Sequence, residues 1–334
     1  MSERELTFGQ ALNEALRQEM RRDSAVFVIG ENVSSNRREA TKGLMEEFGK
    51  TRVRDTPITE SAFVGAGVGA AIAGMRPVVE LMNIGFGLVA MDQILNQAAK
   101  TRYMLGGMVT VPLTLRAIYG AVAFRDSRSS AGSTHSESLY SLFAHMPGLK
   151  VIVPSTPYEA KGLLISSIRD DNPKVFFEHR LLYPMKGPVP EEEYTIPFGS
   201  AEIKREGTDV TIVALGLMVH KALRAADRLK EEGVSAEVVD PRTIVPLDEK
   251  TILDSVKKTS RLVVVDEDYK RCSFSSEVSA IVAEEGLEYL SAPIRRVATP
   301  NVPLPYNPTI QRSILPDEAK IVEAVLSLVR KRPI

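Results

Sequence analysis

Residues 151–179 read "VIVPSTPYEAKGLLISSIRDDNPKVFFEH". An apolar run (151–154) leads into a stretch with helical spacing near 157–171, and a second apolar run, "KVFFEH" (174–179), follows. Neither apolar run alternates with polar residues, so each is expected to be a strand covered on both faces. Two such strands joined through a helix are the repeating piece of a parallel sheet with helices packed on it.

The same rhythm extends upstream. Strand-like runs occur at "VFVIG" (26–30), "PVVELM" (77–82) and "VPLTLRAI" (111–118), with helical patterns near 7–20, 60–74, 91–104 and 134–145. It breaks at "PMKGPVPEEEYTIPFG" (184–199), a proline-rich stretch with three consecutive glutamates that reads as extended linker. Beyond it the alternation restarts: "DVTIVALG" (209–216), a helix near 218–232, "AEVVD" (236–240), a helix near 248–258, "RLVVVDE" (261–267) and a helix near 275–286. The expectation is an α/β protein of two domains, 1–185 and 200–334, joined by a linker over 186–199.

Composition narrows the function. The chain has 334 residues, 44% of them hydrophobic and 25% charged, with a formal net charge of -1. That balance favours a packed globular protein and offers neither nucleic acid nor a membrane surface a strong field. A single cysteine, Cys272, excludes an internal disulfide framework and a cysteine-based zinc site. No apolar run approaches the ~18 residues of a membrane span. The opening "MSERELTFGQALNEAL" lacks the basic and greasy segments of a signal peptide, so a prokaryotic cytoplasm is the expected address.

One stretch poses a chemical question. In "DTPITESAFVGAGVGAAIAGMRP" (55–77), Glu60 stands at the mouth of a small, apolar helix that contains Gly65, Gly67 and Gly69. Three interior glycines cost roughly 2–3 kcal/mol relative to alanine, so close approach by a neighbour is expected, with Gly65 and Gly69 on one smooth buried face. Their GxGxG spacing is not the GxGxxG of a dinucleotide site. Read by itself, Glu60 is a first-turn acid that complements the helix dipole.

Several long blocks, taken in order, carry more. "RVRDTPITE", "AIAGMRPVVELM", "MDQILNQAAKTRYMLGG", "FAHMPGLKVIVPSTPYEAKGLL", "IRDDNPKVFFEHRLLY" and "EEEYTIPFG" resemble the beta subunit of the thiamine-diphosphate-dependent component of 2-oxo acid dehydrogenase complexes. Within it, "GTDVTIVALG", "VVDPRTIVPLD" and "RLVVVDEDYKRCS" are most similar to acetoin dehydrogenase beta chains. The resemblance spans about residues 5–330 and implies a transketolase-like pyrimidine-binding domain followed by a transketolase C-terminal-like domain. It implies an α2β2 heterotetramer with an alpha subunit and a second beta subunit, and possible docking on a lipoyl-bearing acyltransferase core.

The resemblance also assigns roles. Glu60 matches the glutamate that bonds the aminopyrimidine ring nitrogen of thiamine diphosphate, while the cofactor supplies the carbanion chemistry. Phe86 would stack on that ring, Ile58 and Met82 would wall it, and Glu31 would be a pocket acid near the reacting centre. Read without the resemblance, Phe86 is an ordinary core aromatic and Glu31 a loop acid after a strand. The sequence has no GDG motif with a distal asparagine, as expected if the alpha subunit holds magnesium and the diphosphate. Potassium would be held by backbone carbonyls of Leu113, Ser167, Ile168, Asp170 and Asn172.

His135 lies in "SSAGSTHSESLYSLF", where Thr134 and Glu137 fit a T-x-x-E capping box, so a helix is expected to start at His135. By resemblance His135 assists acyl transfer to lipoyl. The family usually reads Ala-Gln-His-Ser-Gln there, whereas this chain reads Ser-Thr-His-Ser-Glu, with Glu137 close by. The connection from Arg116 to His135 is about six residues longer than usual; Arg125 or Arg128 in it would either favour an anionic or phosphorylated donor or acceptor at the substrate mouth or belong to a solvated basic loop. The implied reaction is oxidation of a 2-oxo acid or acetoin with lipoamide as acceptor; the alternative is a carboligase using the same cofactor.

Overall fold

The computed structural model describes residues 4–121 and 130–330. Arg125 and Arg128 lie outside the described residues. The chain forms two compact units: the residues up to Tyr119 together with Leu142–Phe198, and Gly120–Ser141 together with the residues from Gly199 onward.

In the first unit the elements run β1 (Glu5–Thr7), α1 (Phe8–Arg22), β2 (Val26–Gly30), α2 (Leu44–Phe48), β3 (Val53–Asp55), α3 (Glu60–Ile72), β4 (Arg76–Asn83), α4 (Ala99–Met104) and β5 (Thr114–Tyr119). After α5 (Tyr140–Ala144) brings the chain back, β6 (Lys150–Ile152), α6 (Pro157–Arg169), β7 (Lys174–His179) and β8 (Lys186–Pro188) follow. The order β6-β7-β5-β4-β2-β3 is parallel throughout. Every residue of β2 and of β7 is buried, as strands covered on both faces require.

Helix starts follow local chemistry. Thr156 accepts from the Glu159 N–H at 3.2 Å, and Glu159 returns the bond to the Thr156 N–H at 3.1 Å, with Pro157 in the first turn. Thr7 and Gln10 form the same box for α1. Fully buried Leu12, Leu16 and Phe8 on α1 each contribute about 1.5–3 kcal/mol of apolar burial.

The stretch expected as extended linker is held to the first unit. β8 pairs antiparallel with β1. The buried Lys161 ammonium donates to the carbonyls of Pro190 (2.6 Å), Glu191 (3.0 Å) and Glu192 (2.9 Å) and to Glu14 (2.7 Å). Gly162 lets Tyr194 and Ile196 lie against α6, since a Cβ there would stand 2.7 and 2.8 Å from them.

The second unit contains β9 (Glu202–Arg205), β10 (Val210–Ala214), α7 (Leu217–Glu231), β11 (Ala236–Asp240), β12 (Thr243–Val245), α8 (Glu249–Thr259), β13 (Leu262–Tyr269), α9 (Phe274–Glu285), β14 (Arg295–Thr299), α10 (Pro308–Ile314) and α11 (Glu318–Val329). Its sheet runs β14-β13-β10-β11-β9, with β9 antiparallel at the edge. Ile212, Val238 and Val263 meet Val219 and Leu229 of α7 and Ile321 of α11 in one core. Among the described residues, no helix is long and apolar enough to cross a membrane.

Candidate active site

The site begins at a glycine. Gly30 ends β2 with φ +149, and a Cβ there would lie 2.3 Å from the Glu80 carbonyl on neighbouring β4. Only glycine fits this crossing. It turns the next residue, Glu31, inward, where it is 5% exposed and its Oε1 has no hydrogen-bond partner among the described residues. Burial pushes the Glu31 carboxyl up, the neighbouring Glu60 carboxylate adds to the rise, and Arg38 opposes both. Glu31 is therefore not the solvated loop acid that a strand end suggests.

Glu60 opens α3 and is 7% exposed. Its position in the first turn sets the carboxylate against the free N–H groups and positive end of the helix dipole. Behind it the glycines divide their work differently from expectation. Gly67 is the close-approach position, since a Cβ there would meet Val79 Cγ2 at 2.6 Å and Leu113 Cδ1 at 3.2 Å. A Cβ on Gly65 would make only ordinary contact, and one on Gly69 would meet nothing within 4 Å. Gly69, Ala62 and Ala66 are exposed in this chain, so the smooth face is not buried within it.

A chain of buried charge underlies Glu31. Glu80 Oε1 accepts from Arg38 Nη1 at 3.1 Å and from the Met82 N–H at 3.2 Å. Met82 has φ +63 and is half-buried. Glu80 Oε2 lies 3.1 Å from Arg116 Nη1, an ionic contact without hydrogen-bond alignment. Arg116 in turn grips Glu178, which also receives the Tyr183 hydroxyl. Burial raises the Glu178 carboxyl and the Arg116 guanidinium opposes that rise, while Arg116, beside Glu178 and Glu80, is held charged. Phe86, half-buried, follows in a 3-10 segment (Ile84–Ala90) whose start is capped by Asn83 accepting from the Gly85 N–H at 3.0 Å. Ile58 is 78% exposed.

His135 lies in the second unit and is exposed. Residues Ser133–His135 form a 3-10 turn, and the next helix begins only at Tyr140, so no capping box forms at Thr134. Thr134 Oγ1 instead lies 2.9 Å from His135 Nδ1. The turn is pinned from the loop before α10: Ser133 Oγ donates to the Leu304 carbonyl at 2.8 Å, and Ser130 Oγ to the Pro305 and Tyr306 carbonyls at 2.9 and 2.8 Å. Glu137 faces Tyr269, whose hydroxyl donates to it at 3.4 Å, and burial pushes its carboxyl up. A separate cleft of about 620 Å³ lies along α1 between Gln10, Arg17, Arg21 and Lys42, away from Glu31 and Glu60.

Residues 4–186 match the transketolase pyrimidine-binding domain and residues 199–321 the transketolase C-terminal domain. The beta subunit of acetoin:2,6-dichlorophenolindophenol oxidoreductase from Bacillus subtilis is 47% identical over 98% of both chains, and its Cupriavidus necator counterpart 49% over 96% of both. The 2-oxoisovalerate dehydrogenase subunit beta of Bacillus subtilis is 44% identical over 97% of this chain and 98% of its own. The chain belongs to the family of beta subunits of thiamine-diphosphate-dependent 2-oxo acid and acetoin dehydrogenases. A split-gene transketolase, solved as an inactive beta4 tetramer, shares the fold with a TM-score of 0.78 at 21% identity, covering 97% of this chain and 98% of that one.

For a beta subunit of this family, the first unit offers what the pyrimidine end of the cofactor needs: a buried carboxylate at a helix start, a second acid with an unsatisfied buried oxygen, and a half-buried aromatic. These residues fit the group. The sequence reading missed Arg38, Glu80, Arg116, Glu178 and the backbone of 304–306. The available signal was charge inside apolar runs: Glu80 in "PVVELM", Arg116 in "VPLTLRAI", and Lys174 and Glu178 in "KVFFEH".

Proposed function

We propose that this beta subunit supplies the aminopyrimidine half of a thiamine diphosphate site in an α2β2 dehydrogenase of acetoin or a 2-oxo acid. The observation that carries the reading is the buried pair Glu31 and Glu60, with Glu31 Oε1 left without a partner among the described residues, where a ligand donor would satisfy it. When bound, thiamine diphosphate supplies the carbanion chemistry. Glu60 holds a proton against the pyrimidine ring nitrogen, a charge-assisted bond strengthened by burial. Phe86 would stack on the ring, Ile58 and Met82 would wall it, and Glu31 would face the reacting centre. His135 would handle a proton during acyl transfer to lipoamide.

The alpha subunit carries magnesium and the diphosphate, a second beta subunit completes the tetramer, and a lipoyl-bearing core is the acceptor's carrier. The division into a pyrimidine-binding domain (1–185), a linker (186–199) and a C-terminal domain (200–334) belongs to the same reading. Acetoin is the first donor to test, because the relatives at 47% and 49% identity are named for it.

The test is co-expression with the neighbouring alpha subunit and cofactor-dependent reduction of dichlorophenolindophenol by acetoin, pyruvate and branched 2-oxo acids. Reduction by one of these donors supports the reading and selects the substrate. Cofactor binding without reduction by any of them would turn the reading to a carboligase.

A further inference from the structure

The carbonyls of Leu113, Ser167, Ile168, Asp170 and Asn172, which the resemblance assigns to potassium, belong to the end of α6, the turn after it and the approach to β5. Residues 170–173 connect α6 to β7, and the last carbonyls of a helix are unsatisfied and carry its negative end. Side chains already bring cations there. Arg76 Nη1 donates to the carbonyls of Ile168 (3.1 Å), Arg169 (3.2 Å) and Asp170 (3.4 Å). Lys174, 1% exposed, donates from Nζ to the Asp170 carbonyl at 2.6 Å and from its backbone N–H to the Leu113 carbonyl at 2.9 Å.

The carboxylates nearby are paired as well. Asp170 Oδ2 takes Lys150 at 2.5 Å, Asp170 Oδ1 lies 3.7 Å from Lys174 Nζ, and Asp171 takes Arg76 at 2.5 Å. A further cation on the Asp170 carbonyl would stand beside fixed positive charges, with both carboxylates already engaged. The residues do not fit a potassium ion.

We infer that Lys174 is a built-in monovalent cation, its ammonium filling the seat of a diffusible potassium ion and tying the end of α6 to β7. An ammonium is a compact point charge that carbonyl oxygens receive as they receive an alkali cation. Lys174 opens β7, a position that a sequence presents as a solvated strand end. The inference is independent of the donor and acceptor proposed above.

Thermal unfolding of the full chain in potassium, sodium and choline chloride at matched ionic strength decides it. The wild type is expected to melt at the same temperature in all three salts. Lys174→Met should melt lower in sodium and choline and recover in potassium by about 4 °C or more. A potassium-specific rise in the wild type, or a folded Lys174→Met that ignores potassium, would overturn the inference. If Lys174→Met fails to fold, wild-type crystals soaked in thallium(I) decide: an anomalous peak on the Asp170 carbonyl overturns it, and its absence there supports it.

Discussion

Arg116 holds Glu178 through paired hydrogen bonds, Nε to Oε1 at 2.6 Å and Nη2 to Oε2 at 2.9 Å, with both side chains fully buried. The pair connects β5 to β7 and continues through Glu80 to Arg38 and the Met82 N–H. Removing one member leaves an uncompensated buried charge, at about 3–5 kcal/mol. Arg116→Leu is therefore expected to lose about 3–5 kcal/mol in urea unfolding. It should also weaken cofactor binding, because Glu80, whose Oε1 receives the Met82 N–H, loses the ionic contact at its Oε2.

Lys161 organises residues 190–192 by donating to three successive carbonyls. Lys161→Met would leave those carbonyls and Glu14 without their shared donor. Limited proteolysis should then cut within 190–193 well before any cut in the sheet strands, whereas the wild type resists there.

Gly67 and Gly69 separate packing from propensity. Gly67→Ala forces a methyl to 2.6 Å from Val79 Cγ2 and should destabilise by about 1–3 kcal/mol. Gly69→Ala meets nothing and should stabilise by up to about 1 kcal/mol. Denaturant midpoints of the two variants should move in opposite directions.

Asp268, buried and next to Asp266, has its carboxyl pushed up to about 6. Between its unfolded value near 3.9 and about 6, the folded chain binds more protons than the unfolded one. Stability from this group is thus full below that window and falls as pH rises through about 6. Asp268→Asn should flatten the fall by up to about 1.4 kcal/mol per pH unit, measured by urea unfolding across the window.

The parts of the fold legible in the sequence were those written as uninterrupted apolar runs. "VFVIG", "AEVVD" and "KVFFEH" became β2, β11 and β7 because burial on both faces requires such runs. Short edge elements such as β1 and β9 have no such signature. The buried Arg116–Glu178 pair was invisible because register, not composition, sets one charge against the other across neighbouring strands. At Thr134 the letters of a capping box were present, but the pinning of Ser133 to Leu304 and the positive φ of Leu139 hold the chain out of a helix until Tyr140. Glu31 was named only through the resemblance, since its burial depends on the turn at Gly30.

Glu60 at the start of α3 is the residue on which the proposed chemistry turns. In the co-expressed complex, Glu60→Gln keeps the shape of the side chain and removes its charge. Its turnover in the dichlorophenolindophenol assay should fall by about 10²–10⁴, the range for loss of a positioned acid–base group, while cofactor still binds. Unchanged turnover in Glu60→Gln, with cofactor bound, would contradict the assignment.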